Sequence, residues 1–257
     1  MLFFFKKKKI VLDCFTHYHH AYEFFKIEPA KKHLPAWWKE LPVTYKEERS
    51  IADLPTMRTC LGFTQNFKHG FIIPMWSDTH ATMAQTGPRQ FGLVGQNADA
   101  LTRIEGHPQK QYGNFIDPDV YMHVKIGSPW LFRCSEDINW VWTQPSWNTK
   151  NFDDYLVLPG ILDFKYQTST HINIITRRFN KNNQANILHI PAGQPLVHVI
   201  PITDREVEIK NHYVSEDEWR QIDSKNIHIS WFNNYVKMRT LRKAAEEKKC
   251  PFNFSRK

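Results

Sequence analysis

The chain has 257 residues, of which 41% are hydrophobic and 14% aromatic, and it carries a formal net charge of +8. That aromatic content excludes a disordered chain, and the length is enough for one full hydrophobic core. A basic excess suits a polyanion or an acidic protein surface, and here it gathers in two runs, Lys6 to Lys9 and Lys237 to Lys249.

The apolar stretch Leu2 to Phe5 falls far short of the ~20 residues that a membrane helix needs. Positive charge follows it instead of preceding it, so neither a membrane span nor a signal peptide is expected. The cysteines at 14, 60, 134 and 250 lie too far apart for a metal-binding pair or a small disulfide framework. Thiols in a reducing compartment are the expectation, with Cys14 and Cys134 acting as small buried hydrophobes.

Taken in chain order, the run KIVLDCF (9–15) predicts a first strand. The segment 28–40 predicts a short helix with Pro29 in its first turn and Pro42 beyond its end, interrupted at Pro35. Trp37 and Trp38 would then point about 100° apart, one into the core and one outward as a surface anchor. A turn of helix, a break at Gly70 and a strand over 71–76 are expected next. Residues 81–107 are poor in charge and predict short strands and loops. Asp117-Pro118 predicts the start of a brief helix reaching His123.

Residues 124–214 carry the strongest β signal, with short apolar runs separated by Pro, Gly, Asn or Asp. Such spacing predicts antiparallel strands in a sandwich or barrel and argues against a doubly wound sheet. Ser215 and Glu218 form a capping box that opens a helix, and a longer helix is predicted from about 229 to 249. The fold expected is therefore mainly β, a jelly-roll or dUTPase-like barrel or sandwich. It is expected as one domain, with an N-terminal strand and helix in 1–54, a β core in 55–214 and a C-terminal helical pair in 215–257.

No nucleophile elbow, Walker loop or dinucleotide fingerprint is present. His17, His19 and His20 crowd together, but no carboxylate or thiol stands at ligand spacing, so no metal site is expected and the tract reads as an exposed loop. Asp78 and His80, beside Ser77, are residue types of a catalytic triad, but adjacency in sequence is not triad geometry.

The block 156–202 runs strand, Gly160-x-x-Asp163-x-x-Tyr166, strand, polar loop, then a Gly193-containing turn before a last core strand. It resembles the third and fourth motifs of the dUTPase and dCTP deaminase superfamily. The resemblance implies that Asp163, at a hairpin tip, orients an attacking water and that Tyr166 stacks on the deoxyribose. Gly160 would allow a close approach, Arg177 or Arg178 would meet phosphate, and His198 would stand where the family has Gln. The family's Arg-Ser phosphate motif has no counterpart at the right place, PRQFGL at 88–93 being the nearest, and its Gly-rich C-terminal motif is missing.

A second resemblance covers nearly the whole chain. VLDCFT, PAWWKELP, GFIIPMWSD, YGNFIDPDVYMHVKIGSPW, WTQPSW and AGQPLVHVIPITDR look like a protein family of tailed phages, notably cyanophages and other marine myovirus-like phages, that carries no assigned activity. It implies a viral origin and a place in the virion or the host cytoplasm.

Two functions follow. The first is a non-enzymatic phage protein, a virion component or host-directed binding module with a protein partner and no resident cofactor. The second is a nucleotide-binding enzyme that hydrolyses a deoxynucleoside triphosphate with magnesium. A nucleotide or nucleic acid is the further candidate ligand, no membrane is expected, and an oligomer is compatible with either.

Overall fold

A computed structural model of the chain describes residues 8–48, 51–87, 90–97, 102–148, 155–167, 169–182, 184–224 and 232–248. The order opens with β1 (Ile10–Thr16), α1 (His19–Phe24), β2 (Glu28–Pro29), α2 (Ala36–Glu40), β3 (Thr44–Tyr45) and β4 (Leu54–Pro55). It continues with α3 (Leu61–Lys68), β5 (Phe71–Pro74), β6 (Thr79–Gly87), β7 (Gln90–Asn97), β8 (Ile104–Gly106), β9 (Tyr121–Cys134) and β10 (Trp140–Thr143). It ends with β11 (Leu156–Val157), β12 (Gly160–Leu162), β13 (Ser169–Arg177), β14 (Ile187–Ile190), β15 (Pro195–Pro201), β16 (Val207–Tyr213), α4 (Glu216–Ser224) and α5 (Phe232–Lys248).

The protein is mainly β. A six-stranded sheet runs β11-β13-β9-β1-β16, with β8 also paired to β9, and a five-stranded sheet runs β12-β10-β15-β5-β2. The two share one core. Leu12, Cys14, Val124, Phe132 and Ile174 of the first sheet cluster with Phe71, Trp140, Trp142, Val197 and Val199 of the second. Period-2 alternation produces this: in β9 the burial of YMHVKI alternates half-buried and buried.

The five-stranded sheet is covered on its other side too. In β5 every residue is buried, Phe71 and Ile73 into the shared core and Ile72 into a second cluster with Ala30, Trp38, Phe67 and Trp147. That sheet is thus the middle layer, between the larger sheet and a thin aromatic layer built on α2 and α3. Two buried faces explain why β5 and β15 read as apolar runs without alternation.

Within 124–214 the paired strands are antiparallel, as expected. A parallel pair joins β1 to β16, Ile10 opposite Val207 through Thr16 opposite Tyr213. β1 therefore lies inside the largest sheet, and the β core begins well before residue 55.

Several local expectations change. The helix over 28–40 is a two-residue strand, a 3-10 turn and the five-residue α2, because Pro29 and Pro35 both interrupt it. Asp117 caps a turn by accepting the Asp119 backbone N–H at 2.9 Å, and no helix follows. The alternating sequence after it joins β9, which runs unbroken through the two strands expected at 124–126 and 130–134. Of the histidine tract only His17 lies in the bend after β1, whereas His19 and His20 open α1. In place of short strands, β6 (Thr79–Gly87) and β7 (Gln90–Asn97) pair antiparallel as two long strands. The capping box stands: Glu218 N–H donates to Ser215 Oγ at 3.3 Å, and Ser215 N–H donates to Glu218 Oε2 at 3.0 Å. The expected last helix is described only from Phe232, so residues 225–231, Trp231 among them, lie outside the described residues, as does Cys250. Among the described residues no helix is long and apolar enough to cross a membrane.

Candidate functional site

Gly160 and Asp163 do not flank a hairpin. β12 pairs with β10 in the middle sheet, whereas β13 belongs to the larger sheet, so the turn at 163–166 carries the chain from one sheet to the other. Gly160 is opposite Trp142, and a Cβ on it would meet nothing within 4 Å, so no close approach requires glycine there.

Asp163 is 5% exposed and holds this crossing turn. Its Oδ1 accepts the Lys165 backbone N–H at 3.1 Å, the arrangement by which Asp stabilises turns, and its carbonyl accepts the Gln167 N–H at 2.8 Å. From α5, Arg239 places its guanidinium 3.0 Å from Asp163 Oδ2 and 3.3 Å from Asp137 Oδ1, and Lys243 reaches Asp137 at 3.2 Å. The contact of Arg239 with Asp163 is an ion pair by distance but not a hydrogen bond by angle. Burial pushes the Asp163 carboxyl above its ordinary range, outweighing the Lys165 N–H and the Arg239 charge that favour ionisation. Tyr166 is 2% exposed beneath the same helix, with Arg239 5.5 Å from its ring centre.

Since folding makes ionisation of Asp163 harder, removal of its charge is cheap. Asp163→Asn is expected to cost under about 1 kcal/mol, because Asn accepts the same turn bond. Arg239→Ala leaves two carboxylates facing each other and is expected to cost about 1–2 kcal/mol, less than a fully buried pair because Arg239 is partly exposed. Urea unfolding of both variants and of the double variant checks this, and Arg239→Ala should cost less when residue 163 is Asn. Equal costs in the two backgrounds would show that the two side chains are not coupled.

The other residues of that block stand elsewhere. Arg177 pairs with Tyr121 at the start of β9, whereas Cys134 at its far end donates its N–H to the carbonyl of Phe164. The 14 residues of β9 therefore separate the arginine from the aspartate, on the order of 40 Å for an extended strand. Arg178 is buried, its Nε donating to the Tyr121 carbonyl at 3.0 Å, and Arg177 lines an apolar groove of about 350 Å³ with Phe115, Tyr155 and Leu156. His198, fully buried in β15, faces the aromatic layer, with its Nε2 2.7 Å from the His69 carbonyl and its ring edge-on to Trp147. Asp163 and Tyr166 are thus brought together, but neither the arginines nor His198 joins them.

The sequence left another group unassembled. Residues 77 and 79 turn inward, where Ser77 Oγ hydrogen-bonds both Thr79 Oγ1 and Thr102 Oγ1, so 78 and 80 face outward together. In β14, Leu188 and Ile190 are buried and His189 faces out, directly opposite His80. Asp78 Oδ2 lies 3.2 Å from His80 Nε2, and Asp78 Oδ1 lies 3.1 Å from His189 Nε2. The two imidazoles stack with centroids 4.0 Å apart, and their contacts hold the Asp78 carboxyl below its usual range, His189 first. Alternation alone puts Asp78 and His80 on one face, but no local signal told that His189, over 100 residues on, would pair there.

No protein-family model matches the chain, and no curated protein does. What fold and geometry define is a mainly β protein in which two large sheets share one core, with an aromatic outer layer, a turn-holding aspartate and, on a three-stranded sheet β14-β6-β7, a surface cluster of two histidines and one aspartate.

Proposed function

We propose that the chain is a phage-encoded, non-enzymatic protein that works by binding a protein partner, in the virion or in the host. The observation that carries the reading is the employment of Asp163, spent on a turn and on Arg239 under α5. Function has to rest on a site, and the residues that dUTP hydrolysis would need are dispersed. The phage origin rests on the sequence segments that resemble the phage family.

The face proposed for the partner surrounds Trp37, which is 40% exposed while Trp38 beside it is buried. Val43, Tyr45 and Met57, all exposed, belong to the stretch of chain between α2 and α3, and exposed Leu61 opens α3. Leu34, Trp38 and Phe67 line a pocket of about 390 Å³ between Lys31 and Lys68. An exposed tryptophan beside an apolar pocket is the anchor type that dominates protein interfaces, and flanking lysines favour an acidic partner.

Incubation of the purified protein with magnesium and dUTP or dCTP is expected to release no pyrophosphate. A catalytic aspartate of the dUTPase kind would supply about 10²–10⁴-fold in rate. Release that disappears in Asp163→Asn would overturn the reading and establish the nucleotide hydrolase in its place.

A further inference from the structure

The geometry points to a divalent transition-metal site at Asp78, His80 and His189, on the outer face where β6 pairs with β14. This goes beyond the binding function proposed above and does not depend on it. The three donor atoms all lie within 4.8 Å of one another, and among the described residues no other His, Cys, Asp or Glu side chains gather in this way. Metal bonds of ~2.0–2.2 Å to nitrogen and oxygen set neighbouring donor atoms about 3–3.5 Å apart. The two aspartate-to-histidine separations, 3.2 and 3.1 Å, already match that spacing. Each histidine meets a different oxygen of Asp78, so a shared ion needs either both carboxylate oxygens or a turn of the side chains that brings the two imidazole nitrogens together, and the histidines, each 45% exposed, have room to turn.

The donor set selects the ion. Two imidazoles and one carboxylate suit zinc, iron(II), cobalt or nickel, whereas calcium and magnesium take oxygen ligands. One carboxylate offsets half of the ionic charge. Three protein ligands on an open face leave coordination positions to water, as in sites where a metal does more than hold a fold. The platform beneath is rigid: Ser77 Oγ and Thr102 Oγ1 are 2.6 Å apart, Trp76 donates to Thr102 at 2.9 Å, and Leu188 and Ile190 anchor β14 in the core. The histidines at 19 and 20 are not so arranged, since one pairs with Glu23 and the other packs on Phe24 and Phe25.

Full-length protein stripped with a chelator and then titrated with cobalt(II) tests the site by visible absorption and by equilibrium dialysis. One ion per chain is expected, displaced by zinc and unaffected by excess magnesium or calcium. His80→Ala and His189→Ala are each expected to weaken binding by at least the roughly 10–100-fold that loss of an outer-shell partner costs, and Asp78→Asn by a comparable factor. All three positions are at the surface, so unchanged circular dichroism separates loss of the site from loss of the fold. Binding that is absent, or that persists equally in His189→Ala, would overturn the assignment and leave the cluster a hydrogen-bonded surface group.

Discussion

Gly70→Ala is expected to cost more stability than any other single-methyl change among the described glycines. Gly70 joins α3 to β5 at a φ of 73°, the left-handed region, and it lies against the backbone of β15. A Cβ there would sit 2.1 Å from the Val199 carbonyl oxygen and 3.0 Å from the Ile200 Cα. The obstacle is main chain of the strand that pairs with β5, so no side chain can rotate out of the way. The left-handed backbone alone costs a non-glycine residue roughly 1–2 kcal/mol, and overpacking adds about 1–3 kcal/mol, giving about 2–5 kcal/mol in all. That is a large share of the 5–15 kcal/mol by which domains are ordinarily stable. Gly160→Ala is the control, since its Cβ meets nothing and its effect should stay within about 1 kcal/mol. Paired urea melts of the two variants decide it. If Gly70→Ala loses no more than Gly160→Ala, the close packing of this corner on β15 is refuted.

The same corner shows what could be read from the sequence and what could not. Gly70 as a break before a strand was legible, because a turn glycine between a polar helix end and an apolar run is a local signal. So were the capping box at Ser215 and Glu218 and the opposite fates of Trp37 and Trp38, each decided within one turn of chain. The β class was legible from the spacing of apolar runs and turn residues. What failed was set at long range. The turn at Asp163 reads as a hairpin tip in one dimension, since two short strands flank it; only pairing with β10 on one side and β9 on the other makes it a crossing between sheets. The helix expected after Asp117 lost to the pairing of β9 with β8, β13 and β1. β1 itself gains its central place from a parallel partner nearly 200 residues away. For the same reason the candidate metal cluster was half visible: Asp78 and His80 share a face by alternation, while His189 arrives through a register that no local pattern encodes.

His198→Gln is expected to flatten the acid limb of the stability curve while leaving neutral stability nearly unchanged. His198 is fully buried in β15, and burial lowers its pKa from 6.5 to about 4, the contact with the His69 carbonyl only partly opposing this. The neutral ring donates from Nε2 to that carbonyl at 2.7 Å, and its Nδ1 has no hydrogen-bond partner. Protonation would therefore place a charge beside Trp147 and Ile72 with no carboxylate to meet it. In the unfolded chain the same imidazole takes a proton near pH 6.5. Above that pH both states are neutral and the contribution is fully present. As the pH falls from about 6.5 toward 4, the unfolded chain binds a proton that the folded chain refuses, and stability drains away. A drop from 6.5 to about 4 corresponds to roughly 3 kcal/mol for this one group. Glutamine keeps an N–H to offer the His69 carbonyl and cannot take the proton. At pH 7.5 the variant should lie within about 1.5 kcal/mol of the parent, the cost of one imperfect hydrogen bond. Near pH 4.5 it should be the more stable of the two relative to that starting point, by on the order of 2 kcal/mol. His171, whose pKa burial also lowers to about 4, keeps its share of the acid limb in both proteins, so the curve flattens without becoming level. Urea unfolding at half-unit steps between pH 4 and pH 8 measures the difference. Curves that run parallel across that range would mean that His198 is not held neutral by the fold.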